Sequence, residues 1–85
     1  MPRNSKVNEI LEERLVQYGN AEERFSTIGR IWGALLNVAD IPPHQVALMM
    51  DSLKTVRCFT NPEHTDSWDD KVGYTLLGQE IVFPA

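Results

Sequence analysis

The 85-residue sequence has a single cysteine, Cys58, and no long apolar run. One cysteine excludes an internal disulfide and a zinc cluster held by thiolates. A membrane span needs about 18 or more consecutive apolar residues, and the polar first residues do not have the pattern of a signal segment. We therefore expect a cytoplasmic protein that has no membrane partner.

Basic residues are also scarce, with 8 Lys and Arg against 12 Asp and Glu and a net charge of −4. A negative net charge argues against a protein that binds duplex DNA or a membrane surface nonspecifically, because both of these are negatively charged. Glycine-rich phosphate loops and nucleophile elbows are absent from the sequence. The core of so small a domain supplies only about 3–5 kcal/mol. We therefore expect self-association, as a homo-oligomer, to add stability.

The apolar residues recur with helical period, and no useful strand-like alternation is present. Asn20, followed by Glu23 three residues later, has the pattern of an N-cap, while Pro42 and Pro43 interrupt any helix. These signals predict an all-α, compact domain resembling a four-helix bundle, oligomeric, over residues 6–85, after a flexible segment 1–5. The predicted helices are 6–18, 21–37, 43 to 57 or 58, and a fourth that is capped by Thr65 and extends to about 82.

Two of these helices have a predicted core face. Gly29 and Gly33 lie at the edge of the apolar sector of the second helix, where they indicate either close approach of another backbone or simple tolerance of glycine. At 100° per residue, the expected core residues are Phe25, Ile28, Ile31, Trp32, Leu35 and Leu36 on the second helix, and Val46, Met49, Met50, Leu53 and Val56 on the third.

Several charged residues fall where apolar ones are expected. Around the axis of the third helix, Arg57 falls at an angle between those of Met50 and Leu53, in the middle of the apolar face. Its side chain therefore either extends off the helix end or meets a carboxylate. On the fourth helix Asp66 and Asp70 share a face with an apolar stripe. The apolar residues of the fourth helix form two sectors, with Tyr74, Leu77 and Ile81 in one and Trp68, Val72, Leu76 and Phe83 in the other. We therefore expect this helix to be wedged between neighbours that pack on both sides of it.

Three interpretations of the aspartates stay open. Asp70, with or without Asp66, pairs with Arg57 and Lys54 across the third and fourth helices. Alternatively, Asp66 and Asp70 hold Mg²⁺ in a pocket where Lys54 or Arg57 binds a phosphate, since magnesium needs only one or two carboxylates besides substrate oxygens. In the third interpretation, the aspartates only stabilise the start of a helix.

Three stretches of the sequence resemble a family of small, mostly phage and prophage helical proteins of unknown function. The stretches are YGNAEERFSTIGRIW, DIPPHQVALMMDSLKTVR and HTDSWDDKVGY, and the resemblance covers roughly residues 8–81. More distantly, the chain is similar to the nucleotide-modification-associated helical domains of phages. Their pattern corresponds here to Tyr18, Gly19, Trp32, Met49, Met50, Lys54, Arg57, Asp66, Ser67, Asp70, Gly73 and Tyr74.

The last motif, an aspartate followed by Gly-Tyr, also resembles the all-α nucleotide pyrophosphatases of the MazG type. That resemblance implies a second carboxylate pair, Glu-x-x-Glu, on an earlier core helix. In this chain only Glu9 and Glu12 have that spacing, and their predicted face is exposed to solvent. Hydrolase activity is therefore not the first expectation.

These observations lead to a phage accessory protein in the host cytoplasm that binds a nucleotide-like or phosphorylated small molecule without turnover. Two alternatives are an interaction module for a host or phage protein and a Mg-dependent nucleotide pyrophosphohydrolase. No cofactor is required, although Mg²⁺ bound by Asp66 and Asp70 is compatible with the pattern. The expected ligand-binding residues are Lys54, Arg57, His64, Asp66, Trp68, Asp70 and Tyr74.

Overall fold

The computed structural model describes residues 9–10 and 20–84, and this part of the chain is all-helical, as predicted. It contains three helices, α1 (Ala21–Leu36), α2 (Pro43–Thr60) and α3 (Thr65–Val82). The first predicted helix and the segment 1–5 lie outside the described residues, except that Glu9 and Ile10 are helical, with Glu9 exposed and Ile10 buried. The four-helix bundle and the oligomer therefore stay predictions. None of the described helices is long and apolar enough to span a membrane.

Helix α1 begins and ends at local signals. The side-chain oxygen of Asn20 accepts a hydrogen bond from the Glu23 amide at 3.2 Å, which confirms the predicted N-cap. The helix ends at Leu36 because Asn37 takes the left-handed conformation, with φ of 57°. The Val38 amide then donates to the Gly33 carbonyl at 2.9 Å, which closes the helix end as in a Schellman motif.

The glycines of α1 allow another stretch of backbone to approach closely. Gly29 and Gly33 are buried, and the Ile41 amide donates to the Gly29 carbonyl at 3.2 Å. A Cβ on Gly29 would overlap the Ile41 carbonyl oxygen, and one on Gly33 would lie 2.8 Å from the Ala39 carbonyl oxygen. The close approach is therefore made by the connection that returns to α2, not by a neighbouring helix.

Helices α2 and α3 pack as an antiparallel pair. Near the start of α2, Ala47 faces Gly78, where an added Cβ would lie 3.3 Å from the Ala47 Cβ. Further along α2, Lys54 meets Asp70. The Thr65 cap was wrong: Thr65 is the first residue of α3, after His64, and no side chain caps this helix.

The core lies where α1, α2 and α3 meet. Val46 is fully buried at its centre, and the rings of Phe25 and Tyr74 contact each other with centroids 6.3 Å apart. Small side chains line the contact between α2 and α3, where Ala47 faces a glycine. The buried core cluster consists of Ala21, Phe25, Val46, Ala47, Leu76 and Leu77.

Much of the predicted core is exposed instead. Leu35 is 77% exposed, and on α2 Leu53 and Val56 are 61% and 64% exposed. Arg57 is exposed rather than set within a buried apolar face. The physical reason is that α2 turns a different side toward α3, one that carries Ala47, Asp51, Lys54 and Cys58. The other predicted core residues that are exposed are Ile31, Leu36 and Met49.

Helix α3 is covered over most of its circumference, which agrees with the predicted wedge. Leu76 and Leu77 are buried although they belong to different apolar sectors. Trp68, at 48% exposed, and Phe83, at 73%, are not covered as that prediction required. The remaining exposed residues in the middle and at the end of α3 are Thr75, Gln79 and Val82.

Candidate functional site

Two crossed ion pairs join α2 to α3. The Lys54 ammonium lies 2.9 Å from an Asp70 carboxylate oxygen, and the Lys71 ammonium lies 2.7 Å from an Asp51 carboxylate oxygen. All four side chains are 16–25% exposed. Each helix contributes one cation and one anion, so the pairs neutralise charge on both sides of the contact. We call these four residues the charged seam.

Beyond the charged seam, two further charges lie at the end of the helix pair where the turn connects α2 to α3. Arg57 is one turn beyond Lys54 on α2, and Asp66 is one turn before Asp70 on α3. Because the helices are antiparallel, these two residues are at the same level. Both are exposed, and no ion pair joins them. The predicted pairing of Arg57 with a carboxylate is therefore absent from the described part, whereas that of Lys54 with Asp70 is present.

The turn between α2 and α3 positions two more of the predicted residues. The indole nitrogen of Trp68 donates to the Pro62 carbonyl at 2.8 Å, which fixes the half-exposed ring beside the turn. The Nδ1 atom of His64 is 2.7 Å from the hydroxyl of Ser67, which is fully buried. One ring nitrogen of His64 is thus engaged, and the other keeps its capacity for a ligand.

Tyr74 lies away from this turn, in an open groove beside the N-terminal half of α1. The groove has a volume of about 910 Å³, within the range of about 300–1,000 Å³ for small-molecule sites. Its apolar lining includes Phe25, Ile28, Met50, Tyr74 and Leu77, and its charged lining includes Glu22, Glu23, Arg24 and Arg30.

The structure brings together only some of the residues predicted for the site. Lys54 contacts Asp70, and Arg57 and Asp66 share a level. Tyr74 is eight residues beyond Asp66 on α3, a separation of about 12 Å along a helix. In the described ranges, no three or more His, Cys, Asp or Glu side chains come together to hold a metal ion.

The sequence interpretation missed the second ion pair of the charged seam. Asp51 and Lys71 were not among the residues predicted for the site. Besides its ion pair with Asp51, Lys71 donates a hydrogen bond to the Thr55 hydroxyl. A signal was present in the order of the charges. Asp51 precedes Lys54 by three residues and Asp70 directly precedes Lys71, so an antiparallel pairing of the helices matches opposite charges at both levels.

Replacing Asp70 with asparagine should lower the free energy of unfolding by about 1–2 kcal/mol. The partly buried Lys54 would lose its carboxylate, at a cost between those of exposed and fully buried pairs. Urea titration of Asp70→Asn beside Glu63→Gln, an exposed carboxylate in the turn before α3, measures the effect. Unchanged stability together with loss of Mg²⁺ binding would instead make Asp70 a metal ligand.

The fold and the site define a class of protein: a small helical domain in which crossed ion pairs join α2 to α3. The chain belongs to the family described as a domain of unknown function (DUF6378), whose model matches residues 5–82. It is also 33% identical, over 72 residues, to the Gene 55 protein of Mycobacterium phage L5.

The match to the mycobacteriophage protein covers 85% of this chain and 46% of the relative, so the chain spans about half the length of that curated protein. No solved structure gives a significant match. The family and the relative together support a small phage protein of unknown function.

Proposed function

We propose that this phage protein binds a phosphorylated, nucleotide-like small molecule without turning it over, at the end of the α2–α3 pair where the turn of residues 61–64 connects the two helices. The observation that carries the proposal is the state of Arg57. Arg57 is exposed, lies one turn from Lys54 along α2, and forms no ion pair within the described part of the chain. A planar, permanently charged guanidinium suits bidentate binding of phosphate oxygens.

The neighbouring groups complete the set of ligand contacts. Lys54 adds a second cation, held in place by Asp70 at 2.9 Å. The His64 nitrogen not engaged with Ser67 is available to a phosphate oxygen. Trp68 offers a half-exposed ring on which a base stacks.

Carboxylates at the same place suit two roles in this proposal. Asp70 orients Lys54, and Asp66, which is exposed on the face of α3 that leads to Asp70, shares a Mg²⁺ ion with the phosphates of the ligand. Tyr74 belongs to the groove rather than to this end, so it is not part of the proposed site. Hydrolysis is not part of the proposal, because Asp70 is engaged by Lys54 and is not free to activate water.

Arg57→Ala should weaken the binding of a nucleoside phosphate about 10- to 100-fold, because a charge-assisted hydrogen bond contributes about 1.5–3 kcal/mol. Arg57 is exposed, so the fold should survive the change. Isothermal titration calorimetry with nucleoside mono-, di- and triphosphates and with inorganic phosphate, in Mg²⁺ and in EDTA, measures the affinities.

Arg30→Ala is the matched control. Arg30 is an exposed arginine on α1 that donates to the Thr27 hydroxyl, and its loss should leave the affinity unchanged. Equal losses in both variants would reduce the binding to general electrostatics and contradict the site. Chromatography of the nucleotide after long incubation tests turnover, and cleavage would favour the pyrophosphohydrolase alternative.

An interaction module for a host or phage protein is the second candidate, favoured by the C-terminal half of α1. Residues 31–39 contain no charged side chain, and Ile31, Leu35 and Leu36 are all more than half exposed. Exposed apolar patches of this kind often mark protein contacts. The same titrations separate the candidates, since an interaction module binds none of the nucleotides more tightly than it binds inorganic phosphate.

A further inference from the structure

Helix α2 departs from the pattern of a surface helix, because charged residues lie on the side that faces α3 and large apolar residues lie on the outward side. Such a helix normally directs its apolar stripe inward and its charges outward. Here Asp51 and Lys54 face α3, where each is paired. The outward side of α2 carries Leu48, Met49, Ser52, Leu53, Val56 and Phe59, all exposed.

The few polar groups on that outward side are already satisfied by the helix itself. The Ser52 hydroxyl donates to the Leu48 carbonyl at 3.1 Å, and the Thr60 hydroxyl donates to the Val56 carbonyl at 3.1 Å. Arg57, the remaining charged residue of α2, lies more than about 100° around the helix from the centre of this side. The outward side of α2 therefore presents few polar groups for water to hydrate.

The exposed apolar area on the outward side of α2 is a large part of what one side of an interface buries. Leu48 is 58% exposed, Met49 42% and Phe59 90%, and with Leu53 and Val56 these side chains present on the order of 500–600 Å². Each partner in a standard interface buries about 800 Å².

The spacing along α2 fits a second copy of the same helix. Met49, Ser52, Val56 and Phe59 are separated by three, four and three residues, the spacing of a seam between two packed helices. We propose that this seam packs against the α2 seam of a second copy of the chain, antiparallel about a two-fold axis level with Lys54. This inference does not depend on the proposed ligand site.

The antiparallel direction follows from side-chain size. It places Met49 against Phe59 of the second copy and Ser52 against Val56, so a small residue meets a β-branched one at the centre. A parallel pair would set the two Ser52 side chains against each other and leave a void there, which costs free energy. Because Lys54 lies on the opposite side of α2, the charged seam stays accessible in the dimer.

Val56→Lys should weaken dimerisation at least about 100-fold, because the two-fold interface would bury two unpaired ammonium groups. Val56 is 64% exposed in the single chain, so the variant should fold. Val82→Lys, at a half-exposed valine on α3, is the matched control. Sedimentation velocity at up to about 100 µM protein should show a dimer for the unmodified chain and for Val82→Lys, and a monomer for Val56→Lys.

A monomeric unmodified chain at that concentration, or a dimer that survives Val56→Lys, would overturn the proposal. Disulfide cross-linking tests the direction, with Cys58 buried and out of reach. Under mild oxidation Ser52→Cys and Val56→Cys should form a covalent dimer only when the two variants are mixed. A parallel pair would instead cross-link each variant with itself, and either that result or no cross-linking at all would contradict the antiparallel seam.

Discussion

Gly29→Ala should destabilise the protein by about 3 kcal/mol or more. Alanine favours a helix over glycine by about 1 kcal/mol, so sequence alone predicts a gain in stability. In the folded chain the new methyl group would overlap the Ile41 carbonyl oxygen, and that backbone is fixed by the Ile41 amide, which donates to the Gly29 carbonyl. Relieving the overlap requires the connection to move away from α1, which breaks this hydrogen bond and lifts Ile41 from the core.

Gly78→Ala is the control for this prediction. Gly78 is also helical, but its added methyl group would lie 3.3 Å from the side chain of Ala47 and 4.0 Å from the His44 carbonyl oxygen, which is an ordinary contact. The gain in helix propensity and the mild crowding should then nearly cancel, so that the free energy of unfolding changes by less than about 1 kcal/mol. Thermal unfolding should place Gly29→Ala roughly 12–24 °C below the unmodified chain, and equal melting temperatures for the two variants would show that the connection does not pack on Gly29.

Val46→Ala should cost about 2–3 kcal/mol, whereas Leu35→Ala should cost less than about 0.5 kcal/mol. Val46 is fully buried between the helices, so its truncation leaves a cavity that the rigid surroundings do not fill. Leu35 is 77% exposed, and shortening it opens no cavity. Urea titrations at a protein concentration below that of any self-association measure both values.

This comparison separates the helical period from the actual core. The period places Leu35 and Val46 equally in core faces, so from sequence alone the larger Leu35 truncation should cost more. A large loss of stability in Leu35→Ala would mean that the end of α1 is covered in solution. Similar small losses in both variants would contradict the position of Val46 at the centre of the core.

Part of the candidate site could be predicted because helical spacing is a local property. Asp66 and Asp70 share one face of α3 whatever the helix packs against, and Lys54 and Arg57 lie one turn apart on α2. Which cation meets which carboxylate is not local. Lys54 rather than Arg57 pairs with Asp70 because the rotation of α2 about its axis turns Lys54 toward α3 and leaves Arg57 on the exposed side.

By itself, the sequence determined the helical class and most helix limits of the described part. Those limits depend on nearby residues, such as the Asn20 cap and the Pro42–Pro43 break, and they agree with the structure to within a few residues.

Only the tertiary structure decided which side of each helix is buried. A chain this short has too little core to cover every apolar stripe, so packing selects among them. Ala47 and the charged seam turn inward because small side chains and matched charges allow α2 and α3 to lie close together. The apolar residues from Leu48 to Phe59 on the other side of α2 are left outside, exposed within the part of the chain that the structure describes.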